Sequence, residues 1–475
     1  MRAAQAVWAA KPVKARLTVV GRLRQLIAQS GEELAEASAR ARNRPPGESL
    51  TAEVIPLAEA CRFLEREAAS VLAPRRLGRR GRPVWLSGVI SEICREPYGI
   101  VLVIGPSNYP LFLPGVQALQ ALVAGNAVLI KPAEGTSKIA QKLAELLRQA
   151  GLDPALLQVL PEEPQAARAA IALGVNKVVL TGSATTGAKV LAELAPQLVP
   201  ATMELSGCDA VFVRADADLD LVTRALVFGL CLNAGATCIA PRRVFVPQPL
   251  AAQLECRLAQ SLAGVEQVTV APALARRLIP LLKEAIAGGA RAVIGGPRED
   301  GSVTTPLLLA GAHPSLGLLR EDIFAPVLSL VSVASDEAAL TANMRCPYAL
   351  GASVFSLDVQ AAEALAARIR AGVVVINDLI APTADARLPF GGRGQSGFGV
   401  TRGAEGLLEM TVPKVVCVNR SRWRLHYEKI GSQDSDIFTA YLELAHGAGL
   451  ARRGRALVKL IRALARRGKS DHPEP

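Results

Sequence analysis

The segment Asn233-Ala-Gly-Ala-Thr-Cys238-Ile-Ala sets a cysteine among small residues, downstream of an isolated glutamate in Ala201-Thr-Met-Glu204-Leu-Ser-Gly207. A thiol and a carboxylate in such settings supply a soft nucleophile and a general base. Together they suit oxidation of an aldehyde through a thioester. Thiolate adds to the carbonyl, hydride leaves for a nicotinamide, and the carboxylate activates the water that hydrolyses the acyl-enzyme. Each residue also has a plainer reading. Cys238 could be a small buried hydrophobe, and Glu204 a solvated loop carboxylate. Residues 221–232 read as helix, so Cys238 should follow a helix where a Gly-containing loop takes over, within reach of substrate and of backbone N–H groups that stabilise an oxyanion. The uncharged neighbours of Glu204 should partly desolvate it and raise its pKa toward that of a useful base. Histidine is a poor alternative base, because the chain has only His313, His426, His446 and His472, the last three near the C-terminus.

The elements that must position this pair form a large, well-packed chain. Its 475 residues are 50% apolar and 20% charged, which excludes a disordered protein and allows two or three domains. The eight cysteines (61, 94, 208, 231, 238, 256, 346, 417) include no CxxC pair and no metal-ligand spacing, so no metal is expected. Met1-Arg-Ala-Ala-Gln opens no sustained apolar run, and no stretch approaches the ~20 apolar residues of a membrane span. A soluble, cytoplasmic protein with reduced thiols is expected. The net charge of +12 is concentrated near the C-terminus, where Arg452 to Lys469 holds eight basic residues and no acid. A basic tail on a nearly balanced body argues against nucleic acid as a partner.

Residues 14–70 read as amphipathic helix, interrupted at Pro45-Pro46-Gly47. Residues 84–96 suggest a hairpin or a pair of extended strands. From Gly99 the rhythm becomes strand, turn, helix: strands at 99–104, 126–130 and 177–180, a helix from 111 to 122, and another from about Gly187. Val211–Val213, Arg243–Val246 and Val373–Ile376 suggest a second such unit around the cysteine. Continuous apolar strands alternating with helices imply parallel sheets covered on both faces.

Further segments fall into a familiar order. Pro106-Ser107-Asn108-Tyr109-Pro110, Lys131-Pro-Ala-Glu134, Thr181-Gly182-Ser183 through Gly187, Glu204-Leu205-Ser-Gly207, Gly235-Ala-Thr-Cys238, Glu321-Asp322-Ile-Phe324-Ala-Pro326 and Pro389-Phe-Gly-Gly392 through Gly399 run in sequence. Over residues 80 to 417 the chain resembles the NAD(P)-dependent aldehyde dehydrogenases, with a lean toward their shorter branch acting on fatty and aromatic aldehydes. The resemblance implies an α/β fold with two Rossmann-like parallel-sheet domains and a small β oligomerisation arm. It implies an NAD-binding domain at 1–82 and 99–204, a catalytic domain at 205–385, an arm at 83–98 and 386–418, and a tail at 419–475.

Carried over by position, the resemblance makes Cys238 the nucleophile, Glu204 the deacylation base and Asn108 an oxyanion donor with the Cys238 N–H. An amide N–H₂ donates without itself titrating, which suits that role; without the other motifs, Asn108 reads as an ordinary turn residue. Pro106, Ser107, Lys131, Glu134, Gly182, Ser183, Gly187, Leu205, Asp322 and Phe324 become cofactor-binding. Lys131 and Glu134 would meet the adenosine ribose, so NAD is expected, with NADP also usable. Four positions depart from the family pattern: Ser206 for glycine, Cys208 for a residue that is often lysine, Ala236 for glutamine or glutamate, and Asp322 for the glutamate that holds the nicotinamide ribose. They touch cofactor affinity and substrate range more than reaction type.

After Val418 the resemblance fades. Arg452, Arg455, Lys459, Arg462 and Arg466 step at helical spacing opposite Leu457, Leu460, Ile461 and Leu464, which describes a basic amphipathic helix. It either docks on the protein's own surface or lies peripherally on an anionic membrane. The expected activity is NAD(P)-dependent oxidation of a medium- or long-chain aliphatic or aromatic aldehyde to a carboxylate, by a homodimer or homotetramer. Two alternatives remain open: a CoA-acylating or acyl-phosphate-linked enzyme on the same fold, and a catalytically silent scaffold or membrane-binding protein.

Overall fold

Alternation within the apolar strands decides the architecture. In the computed structural model, which describes all residues except 422, 423, 425, 426, 428, 432, 433 and 471–475, the strand Ile100–Ile104 is buried along its whole length. His426 and His472 therefore lie outside the described residues. Val101 and Val103 face one layer of helices, with Val128, Ile130, Leu119 and Leu143. Leu102 and Ile104 face the other, with Val178, Leu180 and Ile171. A strand apolar on both sides is stable only between two layers, and that is where it sits.

This first sheet has the order 397–398, 201–205, 177–182, 100–104, 127–131, 157–159. All its pairings are parallel except that of the edge strand Gly397–Phe398. The order reverses between the strands at 100–104 and 177–182, the place where open α/β sheets leave a crevice beyond their carboxyl ends. The second sheet runs 268–269, 303–310, 327–333, 241–247, 209–213, 351–355, 373–376, with Arg291–Pro297 antiparallel to the strand at 303–310. Its faces divide in the same way, Ala210, Phe212 and Val354 on one side and Val211, Val213 and Val244 on the other.

The region read as one interrupted helix is three main helices, Val13–Gln29, Gly31–Arg42 and Ile55–Val71. The chain breaks at Asn43, which takes a left-handed conformation at φ 50° that asparagine tolerates better than most residues. Leu23, Ile27, Leu34, Leu57 and Leu64 form their buried stripe. The hairpin or pair of extended strands expected at 84–96 is instead a 3₁₀ turn at Val84–Leu86 followed by one strand, Val89–Pro97. That strand is the middle of a three-stranded sheet between Arg75–Arg76 and Thr411–Asn419, so its main partner is distant in sequence and local alternation could not reveal it.

The chain divides into two compact units, residues 1–75 with 93–414, and residues 76–92 with 415–475. Both large sheets belong to the first. In the second, Trp85 and Tyr441 meet edge to face with ring centroids 5.3 Å apart. There the helices Asp434–His446 and Leu450–Ser470 pack together. The last helix buries Ala456 and partly covers Leu460 and Ala463, while Leu457, Val458, Ile461 and Leu464 stay exposed. Among the described residues no helix is long and apolar enough to cross a membrane.

Candidate active site

Glu204 is a strand residue, not a loop carboxylate. It lies on Ala201–Leu205, in register with Thr181 on one side and Gly397 on the other, and is only 2% exposed. Thr181 Oγ1 donates to Glu204 Oε2 at 3.0 Å, and Gln117 Nε2 donates to Thr181 Oγ1 at 2.9 Å. Glu204 Oε1 is buried with no hydrogen-bond partner. Burial pushes the Glu204 carboxyl above the usual carboxylate range; the Arg402 charge and the Thr181 hydrogen bond oppose this.

Cys238 does not sit directly after a helix. The helix Leu219–Cys231 ends, and a tight turn follows in which Asn233, Ala234 and Gly235 have φ of 52°, 50° and 70°. Such backbone is strained for the first two residues, and it is pinned from several sides. Asn233 Nδ2 donates to Asn108 O at 3.0 Å and to Ala236 O at 3.2 Å, and Asn233 N donates to Glu48 Oε1 at 2.8 Å. The buried Arg242 guanidinium donates to Gly235 O and to Ala325 O. Gly235 is required there, since a Cβ would stand 2.4 Å from Pro326 N. The turn carries Cys238 to a half-buried position against Ile239, Leu350 and Phe390. Its thiol is pushed up by burial and then by the charges of Glu204 and Asp209, while Arg402 pulls it down. Burial thus favours the neutral thiol of Cys238 over its thiolate.

Asn108 is buried, and its Oδ1 accepts the Tyr109 N–H at 3.0 Å. That bond orients the amide and leaves Nδ2 as its donor side. Tyr109 Oη then bonds Thr237 Oγ1 at 2.6 Å, tying the Asn108 segment to the residue before Cys238.

Six of the expected cofactor residues lie at the carboxyl ends of the first sheet. Pro106 and exposed Ser107 follow Ile104, Lys131 ends the strand Ala127–Lys131, Gly182 and Ser183 follow Leu180, and Leu205 ends the Glu204 strand. The next helix begins at Ala184, not near Gly187, because Ser183 Oγ caps it by accepting the Thr186 N–H at 3.2 Å. Gly187 lies inside that helix against Leu205, where a Cβ would approach Leu205 Cδ1 to 2.8 Å. Lys131 is half-buried, and burial lowers its pKa against the raising charges of Glu162, Glu163 and Glu134. Glu134 is exposed, as is Phe324. Asp322 is half-buried, with a buried Oδ1 that has no protein partner. Burial raises its pKa, opposed first by a hydrogen bond with Ser206 and then by Arg242 and Arg277. Ser206 Oγ also lies 3.3 Å from Gly182 O. Two of the departures from the family pattern thus touch each other, and Ala236, a third, lies buried in the cysteine turn.

A capped helix start and a half-buried lysine at the carboxyl ends of the first sheet, with an unpartnered Asp322 oxygen linked through Ser206 to Gly182, fit a dinucleotide with its phosphates and ribose hydroxyls. Sequence reasoning missed Arg402, Arg242 and Gln117. Arg402 is a lone charge between glycine-rich runs; Arg242 and Gln117 leave no local signal, because their partners come from remote segments.

An open parallel sheet with a crevice beyond its carboxyl ends, a buried carboxylate and a loop thiol are the parts of a dinucleotide-dependent oxidoreductase. The chain matches the family model described as the aldehyde dehydrogenase family over residues 1–416, and it belongs to that family. The match includes the N-terminal helices, which carry no motif. The chain is 30% identical to a 4,4'-diapolycopene aldehyde oxidase of Methylomonas sp, covering 97% of this chain and 89% of that one. It is 30% identical to a putative succinate-semialdehyde dehydrogenase [NADP(+)] 2 of Mycobacterium bovis, covering 88% and 83%. Among solved structures, an NAD-dependent aldehyde dehydrogenase from Sinorhizobium meliloti superposes with a TM-score of 0.81 at 28% identity, over 88% of this chain and 84% of that one. The protein is an NAD(P)-dependent oxidoreductase acting on aldehydes.

Proposed function

We propose that the protein oxidises an apolar aldehyde to a free carboxylate, with Cys238 as nucleophile and Glu204 as hydrolytic base. The observation that carries this reading is Glu204 itself: a buried carboxylate with one oxygen held by Thr181 and the other without a protein partner. In the first step Cys238 Sγ, once deprotonated, bonds the aldehyde carbon, and the carbonyl electron pair moves to oxygen. Asn108 Nδ2 and the Cys238 N–H hold that oxyanion. NAD(P), when bound, supplies the acceptor for the hydride whose loss leaves a thioester. Glu204 then takes a proton from water as the water oxygen bonds the acyl carbon, and Cys238 leaves as thiolate. Pro106, Ser107, Lys131, Glu134, Gly182, Ser183, Gly187, Leu205, Asp322 and Phe324 would hold the cofactor, Gly187 by letting Leu205 pack close. On this reading residues 1–82 and 99–204 bind cofactor, 205–385 carry the cysteine, and 83–98 with 386–418 form the arm.

The named relatives oxidise different aldehydes, one a diapolycopene aldehyde and the other succinate semialdehyde. The C-terminal helix favours the apolar class. Its apolar residues 457, 458, 461 and 464 are exposed beside a cationic stripe of Arg455, Lys459, Arg462 and Arg466. A helix docked only on its own protein would cover that apolar stripe. Contact with an anionic membrane from the cytoplasmic side would cover it instead. The edge strand Thr411–Asn419 exposes Val412, Val415, Val416 and Val418 and would pair with a second copy of the chain.

The test is product analysis of wild type and Glu204→Gln with a panel of aldehydes, with and without CoA. Wild type should form free acid without CoA. Glu204→Gln should release about one equivalent of NADH per site and then stall. A wild type that turns over only with CoA or phosphate would overturn the hydrolytic reading.

A further inference from the structure

Arg402 is a buried guanidinium in a place where the mechanism above gives it no part. It is 6% exposed, and among the described residues no carboxylate lies within ion-pair distance of it. Its plane is held over the Phe390 ring at 4.3 Å and lies 5.8 Å from the Phe112 ring centroid. One guanidinium nitrogen donates to Thr383 O at 2.5 Å, its backbone N–H donates to Gln120 Oε1 at 3.1 Å, and its buried Nε has no partner. The backbone at Arg402 is at φ 63°, strained for a residue with a Cβ.

This arrangement leads to the reacting groups by two routes. The segment that delivers Arg402 begins as the strand Gly397–Phe398, whose Gly397 is in register with Glu204. Phe390, on which the guanidinium stacks, packs in the same small cluster as Cys238. A desolvated cation costs free energy unless something nearby uses its charge, and Glu204 and Cys238 are the groups its field reaches.

We propose that Arg402 is a positioning residue for the reaction: its fixed, unpaired charge favours the Glu204 carboxylate and the Cys238 thiolate, and so sets the pH range in which both steps run. The proposal rests on the roles given above to Cys238 and Glu204. The Thr181 hydroxyl bonds Glu204, and the charges of Arg402 and Cys238 act on it. The charged and titratable groups that act on Cys238 are Glu204, Asp209, Arg402, Arg242 and the Tyr109 phenol. Asp209 is itself pushed well up by burial, Tyr109 is pushed up by burial and stays neutral, and Arg242 is committed to Gly235 O and Ala325 O. Among the described residues Arg402 is thus an uncommitted cation whose charge acts on both Glu204 and Cys238. A positive charge lowers the pKa of each acid, so its removal must move both titrations to higher pH.

The experiment compares wild type with Arg402→Met, Arg402→Gln and Arg402→Lys in the full chain. One readout is the pH profile of Cys238 alkylation by iodoacetamide, with the modified peptide identified by mass spectrometry. The other is the pH profile of single-turnover deacylation. Arg402→Met and Arg402→Gln should shift both midpoints upward and slow alkylation at neutral pH about tenfold, and Arg402→Lys should restore much of both. Gln keeps a donor for Thr383 O, so it serves if Met does not fold. Midpoints unchanged in a folded neutral variant, with only thermal stability lost, would overturn the proposal and leave Arg402 a packing residue. A failure of the Glu204 assignment is distinguishable, since Glu204→Gln would then deacylate normally while the alkylation profile still reported on Arg402.

Discussion

Tyr109 Oη and Thr237 Oγ1 lie 2.6 Å apart, joining the segment after the first strand to the turn that carries the nucleophile. Through this bond the Asn108 amide and the Cys238 backbone N–H become parts of one object, though they lie in loops that flank strands of different sheets. Tyr109→Phe removes the bond and keeps the ring. It should cost about 1 kcal/mol of stability and lower kcat roughly three- to tenfold with KM little changed, because a displaced oxyanion donor acts mainly in the transition state. Steady-state kinetics with a short aldehyde check this, and an unchanged kcat would show that the bond is not needed to align the site.

Glu204 makes a prediction about stability, with the sign set by its raised pKa. A carboxyl whose folded pKa lies above its unfolded value binds more protons in the folded state. Its contribution is therefore present at pH below the unfolded pKa and is lost as pH rises through the folded pKa. Glu204→Gln removes the buried titrating group while keeping an acceptor for Thr181. The variant should melt a few degrees above wild type at pH 8 and no higher near pH 4, where both side chains are neutral. Thermal melts across pH decide it, and a variant less stable than wild type at pH 8 would contradict the sign.

Asp322 offers a buried oxygen without a protein partner beside Ser206 and Gly182. If that oxygen serves a ribose hydroxyl, Asp322→Ala should raise the KM for NAD and NADP about tenfold, the scale of a lost hydrogen bond to a charged group. Melting without cofactor should change little. Cofactor titration by intrinsic fluorescence provides the measurement, and equal affinity in the two proteins would remove Asp322 from the binding set.

The last helix should bring the protein to anionic vesicles. Flotation with phosphatidylcholine vesicles containing phosphatidylglycerol should recover the full chain. Recovery should fall several-fold in neutral vesicles or high salt. Ile461→Ser with Leu464→Ser should reduce recovery while aldehyde oxidation in solution persists. Recovery equal to that of a chain ending near residue 445 would exclude the membrane reading.

Much of this was legible before any coordinates. The apolar strands at 99–104, 126–130 and 177–180 stand out because a two-faced parallel strand needs an unbroken apolar run. The motif residues could be named one by one because they cluster at short spacing around Asn108, Lys131, Gly182, Glu204, Cys238 and Asp322. The single strand Val89–Pro97 and the helix start at Ala184 are not legible in the sequence, because strand partners and caps depend on geometry that alternation and glycine alone do not encode.

The sequence by itself determined which groups are present and the order in which they arrive: a thiol, a carboxylate, an amide and the glycines that allow close turns. Only the tertiary structure decided their electrostatic state. Glu204 became a buried strand residue with one free oxygen, Cys238 came to rest beside Phe390 a few residues after a strained turn, and Arg402 joined them from the far end of the first unit. The reason is physical. Residue type sets what a group can do, whereas desolvation and Coulomb interaction depend on distance through the fold, which brings residues 108, 181, 204, 238 and 402 into one low-dielectric site.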